Sequence, residues 1–229
     1  MNAIFHDLWG FISTADNWRG SNGIAARAQA HLWISFVATV TATALAFPPA
    51  LVLAHLGKAP VLSVGIANIG RALPSFAVIA LVLPISISLG FGLGFWPTCV
   101  ALVALGIPPI FTNTYTGVAN TPAALREAAR GIGMTSPQVV MKVEVPHAMN
   151  VILTGFRISA VQIVATASLG ALVGYQCLGS YVIEGLAQPT RARDRLLTGA
   201  VLIAAMAMIV DFLINRVEGH LTRWRSRLR

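Results

Sequence analysis

Long apolar runs alternate with short polar ones along this chain, and the runs are longer than a soluble core needs. A helix that crosses a bilayer takes about 20 predominantly apolar residues. Five stretches have that character: Leu32 to Ala54, Val61 to about Leu89, Trp96 to about Tyr115, Asn150 to Gly174 and Leu196 to Ile214. Pro48 and Pro49 predict a kink in the first stretch, and Pro108 and Pro109 an internal break in the third, because proline removes a backbone donor and crowds the preceding turn. The second stretch exceeds a straight crossing and contains Arg71 and the tripeptide Ala72-Leu73-Pro74, which predicts a kinked or broken helix. The glycine-rich "GFGLGF" from Gly90 to Phe95 separates it from the third. Ahead of the first stretch, Phe5, Leu8, Trp9 and Ile12 share one helical face. Residues 1–30 therefore read as a segment outside the spans, either a short helix in the membrane interface or a loosely ordered tail. An early acidic residue and the lack of a continuous apolar core argue against a cleavable signal. Residues 31–216 form the spanning domain and 217–229 a basic tail.

The polar interruption between the third and fourth runs has its own pattern. Thr121 with Pro122 is a helix-start signal, and "PAALREAARGI" continues with good helix formers until Gly133, which can take a left-handed stop. Ser136 and Pro137 repeat the start, and Pro146 closes a second short helix. The segment from about 121 to 146 is thus a helix, a glycine elbow and another helix. Ala128 and Ala129 give it a small face, while Arg126, Glu127 and Arg130 give it charge. Helix signals alone leave open whether this pair docks in a partner's groove or is an ordinary amphipathic loop.

Composition agrees with the span count: 56% of residues are hydrophobic, 10% are charged and the mean hydropathy is +0.73. In such a chain the net charge of +8 speaks first to topology. With the C-terminus in the cytoplasm, nine Lys and Arg residues fall inside and five outside, which favours an outside N-terminus and puts the interruption in the cytoplasm. No basic stripe interleaved with aromatics supports a nucleic-acid surface. Cys99 and Cys177 lack CxxC spacing and a histidine cluster, so metal and thiol chemistry are not indicated and buried thiols are expected. No convergent His, Asp, Ser or Cys constellation suggests catalysis. Gly57-Lys58 lacks the upstream glycine and following hydroxyl of a phosphate-binding loop, so the chain has no ATP chemistry of its own.

Glu127, Ala128 and Ala129, followed at set spacings by Gly133, Val143, Val145 and Pro146, resemble the EAA motif of ABC importer permeases, with valines where isoleucine and leucine are usual. Over roughly Asn68 to Gln188 the chain is also similar to permeases of osmoprotectant importers. The carrying stretches are "RALPSF", "PPIFTNTYTGVANTPAALREAARGIGMT" and "TASLGALVGYQCLGSYVIEGLA". The resemblance implies an all-α polytopic protein with about five spans in the type I ABC importer arrangement, in a bacterial inner membrane. It would carry glycine betaine, choline, carnitine or proline-like solutes. It implies partners as well: ABC ATPase subunits that bind the ATP and Mg, an extracytoplasmic solute-binding protein, a second permease copy or sibling, and lipid. This chain would itself hold no cofactor and no metal.

Under that resemblance Glu127, Ala128, Ala129, Gly133 and Pro146 form the ATPase-coupling segment. Arg71, Pro74, Phe76 and Tyr115 are candidates for the translocation path, because embedded ionisable groups, a helix break and aromatic faces are what a cationic solute would meet. Phe111, Phe156 and Tyr175 offer further rings, Arg157 is expected to reach headgroups, and Gly170 and Gly174 offer GxxxG spacing for close helix approach. A permease for another small solute, or a channel or ion-driven carrier without ATPases, are the alternative readings.

Overall fold

A computed structural model describes residues 2–58, 61, 65, 66, 68, 74–188 and 192–226. Arg71 and most of the first half of the second apolar run lie outside the described residues. Every regular element among the described residues is helical. Helix α1 spans Asn2–Ser13 and leads through a short 3-10 turn, Ala15–Trp18, into α2, Ile24–His55. Helix α3, Ser75–Ser88, precedes α4, Phe95–Ala119. Two short helices follow, α5 at Ala123–Gly131 and α6 at Ser136–Val139. A π-helical turn, Val140–Glu144, joins α6 to α7, Val145–Thr166, and a 3-10 stretch, Ala167–Val173, extends α7. Helices α8, Leu178–Ala187, and α9, Arg193–Ser226, complete the chain.

Four helical stretches among the described residues are long and apolar enough to cross a membrane: Ile24–His55, Phe95–Ala119, Ser136–Val173 and Arg193–His220. The second apolar run is represented by the shorter α3. The helices overrun the boundaries that the sequence suggests. α2 starts inside the segment assigned to 1–30 and carries Arg27, which is buried against Glu184 at 2.6 Å. α9 likewise runs on through most of the basic tail.

The expected break at Pro108 and Pro109 does not occur. Side chains hold carbonyls along this stretch: Thr112 Oγ1 donates to Pro108 O at 2.7 Å and Asn113 Nδ2 to Pro109 O at 2.8 Å, both from the next turn of the same helix, and Ser159 Oγ to Gly106 O at 3.0 Å. α2 is likewise one helix through Pro48 and Pro49. Between α3 and α4, Gly90, Gly92 and Gly94 have φ of 79°, 72° and 83°, a left-handed series that L side chains rarely adopt, so the turn needs its glycines.

The chain divides into two compact units. One comprises Met1–Thr39, Pro74–Val103 and Ala160–Asp211, the other Val40–Leu73, Ala104–Ser159 and Phe212–Arg229. In the first, Ile24, Leu178 and Tyr181 form a core that Phe11, Leu202 and Met206 cover, while Ile79, Ala101 and Val173 form another. Both cysteines are free and buried. Lipid tails are as apolar as leucine, so close packing and polar links between helices hold such units together. On α2 the residues Ala38, Ala42, Ala46, Ala50 and Ala54, four apart, are each at most 1% exposed.

The GxxxG pair serves the inside of the chain. A Cβ on Gly170 would come within 2.7 Å of Thr98 Cγ2, and Gly174, at φ 87°, ends the 3-10 stretch. Gly179 is tighter still, since a Cβ there would lie 2.1 Å from the backbone oxygen of Ser168. Gly131, in contrast, has nothing within 4 Å. Gly179→Ala is therefore expected to abolish monodisperse protein in size-exclusion chromatography of detergent extracts. Gly131→Ala should leave the profile intact and slightly raise the thermal midpoint, since alanine at the last residue of α5 gains less than the roughly 1 kcal/mol it would in a helix interior.

Candidate functional site: the loop between the third and fourth spans

The site is built from α5, α6 and the π turn, all in the second unit. Helix α5 starts one residue later than the sequence suggests. Pro122, extended at φ −54° and ψ 134°, is the N-cap, and its carbonyl accepts from the N–H groups of Leu125 and Arg126 at 3.1 and 3.4 Å. Thr121, buried, does not cap the helix. The far end forms as expected: Gly133 stands at φ 84°, its N–H donates to Arg130 O at 2.9 Å, and Met134 N–H donates to Ala129 O at 3.1 Å. This pair of bonds is a Schellman cap, and it needs the left-handed glycine.

The second start is also displaced by one residue, to Thr135, whose N–H donates to Gln138 Oε1 at 2.8 Å while its carbonyl accepts from Val139 N–H at 2.9 Å. Pro146 does not close this helix. The π turn carries the chain directly into α7, with Val145 N–H donating to Val140 O, five residues back. The wider turn just ahead of Pro146 makes room for a ring that would otherwise crowd the carbonyl of the preceding turn.

The structure divides the EAA positions between two faces. Glu127 and Ala128 are exposed, whereas Ala129 is buried. Gly133 lies in the open, with nothing within 4 Å of a Cβ placed there. Ile132 is 76% exposed and Met141 62%, so an apolar surface accompanies the charges of Glu127 and Arg130.

Sequence reasoning missed the centre of this loop. Glu144 is 0% exposed, with Oε1 2.7 Å from Arg126 Nε and Oε2 2.9 Å from His55 Nδ1. The Arg126 contact is an ion pair without the alignment of a good hydrogen bond. The His55 contact is a hydrogen bond in which the imidazole donates, and an ion pair when that ring is protonated. Arg126 also donates through Nη2 to Val118 O at 2.7 Å, near the end of α4. One carboxylate therefore ties the ends of α2 and α4 to α5 and to the start of α7. The only sequence signal was an acid immediately before an apolar span.

Of the described path candidates, Pro74 and Phe76 lie in the first unit and Tyr115 in the second. Arg71 lies outside the described residues. Pro74 caps α3 in an extended conformation, and Phe76 is 56% exposed. Tyr115, in the second unit, is buried, stacks on Phe111 with ring centroids 6.3 Å apart, and donates to Lys58 O at 3.0 Å. Phe156 packs on Phe47, and Tyr175 donates to Ala30 O at 2.8 Å. Arg157 reaches α9, with Nη1 3.3 Å from Asn215 Oδ1 and 3.8 Å from Glu218 Oε2.

A second charged group lies in the first unit. Glu184 bridges Arg27 and Arg195 at 2.6 and 3.0 Å, with the Arg27 guanidinium 4.1 Å over the Tyr181 ring. These residues border a hollow of about 380 Å³ that also includes Asn17 and Arg19. Burial pushes the Tyr181 phenol above its ordinary range against the opposing pull of Arg27, so it remains a neutral donor to Asn22 O at 3.0 Å. Of the two groups, only Glu144 is wholly shut off from solvent. Glu144→Ala leaves Arg126 uncompensated and is expected to destabilise the protein by about 3–5 kcal/mol, seen as a lower thermal midpoint in detergent.

Comparison with known proteins agrees with this architecture. The model of the binding-protein-dependent transport system inner membrane component family matches residues 43–226. The carnitine transport permease protein OpuCB of Listeria monocytogenes is 33% identical over 84% of this chain and 85% of its own length. The choline transport system permease protein OpuBB of Bacillus subtilis is 34% identical over 84% and 85%. A chain of the MetNI methionine ABC transporter in an inward-facing conformation superposes with a TM-score of 0.73, at 21% identity, over 86% of this chain and 95% of that one, which shows the shared fold. With a family model spanning the helices, the loop and its buried carboxylate, the chain belongs to the binding-protein-dependent transport system inner membrane components.

Proposed function

We propose that this chain is the membrane-spanning permease of an ATP-driven importer for small osmoprotectant solutes, with carnitine, choline and glycine betaine as the leading candidates. The observation that carries the reading is the loop of α5 and α6. It combines a Schellman-capped helix, an outward Glu127 and Ala128, an open Gly133 and exposed apolar side chains at Ile132 and Met141. Such a surface fits a groove in a partner. Relatives named for carnitine and for choline, each about a third identical, support the solute class.

In this reading separate ATPase subunits bind ATP and Mg and dock on the loop. Their closure moves α5, and the spans exchange inward- and outward-facing arrangements, a change that needs alternative helix packings and no catalytic side chain. The loop faces the cytoplasm and the N-terminus lies outside. The hollow bordered by Arg19, Arg27, Glu184 and Arg195 then faces outward, where a solute-binding protein delivers its cargo. A second permease, identical or a sibling, completes the path, for which Arg71, Pro74, Phe76 and Tyr115 remain the candidate residues.

Affinity purification from native membranes tests the docking directly. Wild-type protein is expected to bring down an ATPase, and Gly133→Asp, which adds a charge at an open position and strains the left-handed cap of α5, should lose it while the spans stay folded. No ATPase with the wild type, under conditions that keep other importers intact, would favour a carrier that works without one. Reconstituted with its partners, the complex should accumulate labelled carnitine, choline or glycine betaine only with ATP inside the vesicle. Failure with all three solutes, alongside uptake of an amino acid, would reassign the substrate.

A further inference from the structure

Glu144 and His55 are not among the EAA positions, and nothing in the docking surface requires them. Their geometry gives them a separate task. The covalent chain connects α5 to α4 on one side and to α6 on the other, whereas α2 ends at His55, far away in sequence. The polar link from α2 to the loop runs through the carboxylate: His55 Nδ1 to Glu144 Oε2 at 2.9 Å, then Glu144 Oε1 to Arg126 Nε at 2.7 Å. Arg126 sits on α5 next to Glu127, and its second hold on Val118 O fixes the joint between α4 and α5.

Resting on the reading of the chain as an ATPase-coupled permease, we infer that Glu144 is a positioning residue for coupling, which makes the docking helix and the end of the first span move as one body. A carboxylate with no exposure has no water to exchange partners with, so parting either contact leaves a buried group unpaired. A push delivered to α5 arrives at Arg126, and moving α2 along with it costs less than opening the pair. At an exposed position the same ion pair would be screened and would slip.

Glutamine tests this sharply. It preserves the shape but removes the charge: the Arg126 contact is no longer an ion pair, and the amide N–H meets His55 Nδ1 only if that imidazole carries its proton on Nε2 instead. Complexes of permease, ATPases and binding protein, reconstituted in liposomes, would be assayed for ATPase recovery, ATP hydrolysis and solute uptake. Glu144→Gln should keep ATPase recovery and hydrolysis at wild-type levels and leave the KM for solute unchanged, while solute carried per ATP falls about tenfold. His55→Leu should reproduce the loss, and His55→Asn, whose amide nitrogen can take the place of Nδ1, should restore much of it. His55→Leu carries the same test if Glu144→Gln does not fold.

Unchanged solute per ATP in Glu144→Gln, with ATPase bound, overturns the inference alone. So does a loss of uptake that only tracks the amount of folded, ATPase-bound protein, because that is a structural role. Failure of the wild type to bind any ATPase overturns the transport reading, and this inference with it.

Discussion

A carboxylate closed off from water has to be neutralised where it stands, and the second unit is arranged around that requirement at Glu144. Its two oxygens draw in one group from the end of α2 and one from α5, positions 89 and 18 residues away in the chain. Replacing such a pair with apolar packing would often stabilise a protein as well or better. Its presence here therefore points to a demand for geometry. A greasy contact would let the helix ends slide, while two directed contacts on one carboxylate fix them.

The same preference runs through the rest of the chain. Helices surrounded by lipid gain little from hiding apolar side chains against one another, so they are held by shape and by donors aimed at backbone carbonyls. His31 donates to Val164 O, Tyr175 to Ala30 O, Tyr181 to Asn22 O and Ser159 to Gly106 O, each linking elements well separated in sequence. The alanine row on α2 and the contacts at Gly155, Gly170 and Gly179 supply the close approach that makes such bonds reachable. Aromatic residues that composition alone offers to a cationic solute, Tyr115 and Tyr175 among them, are engaged in this internal scaffold.

Much of this was legible because the bilayer imposes a length on apolar runs and because glycine and proline punctuate helices. The positions of the spans and the left-handed stop at Gly133 follow from those two rules. The starts of α5 and α6 slipped by one residue, since Thr121-Pro122 and Ser136-Pro137 are compatible with either member of the pair, or a neighbour, as the cap. Proline was over-read at Pro108 and Pro146. Whether a helix continues through it depends on the packing around it, as at Pro108, or on a local change of pitch, as at Pro146, and neither is visible in the residue itself. Glu144 escaped for a related reason: local sequence cannot reveal that a histidine at the end of another span will meet an acid.

The turn that accommodates Pro146 has a further effect. A π turn is an α-helix that has taken in one additional residue, and each residue advances an α-helix by about 100°. The rod from Ser136 to Val173 is therefore out of phase with itself on either side of Val140–Glu144. Val139, Glu144, Ala148 and Ile152 are buried at spacings of five, four and four, the wider step falling across the turn, so one inward face continues through the shift in sequence phase. Deleting one residue there would yield a more regular rod with one part of this face rotated away from its neighbours. The irregularity thus works as a rotational correction, letting a single continuous rod keep one buried face from the docking loop into its membrane span.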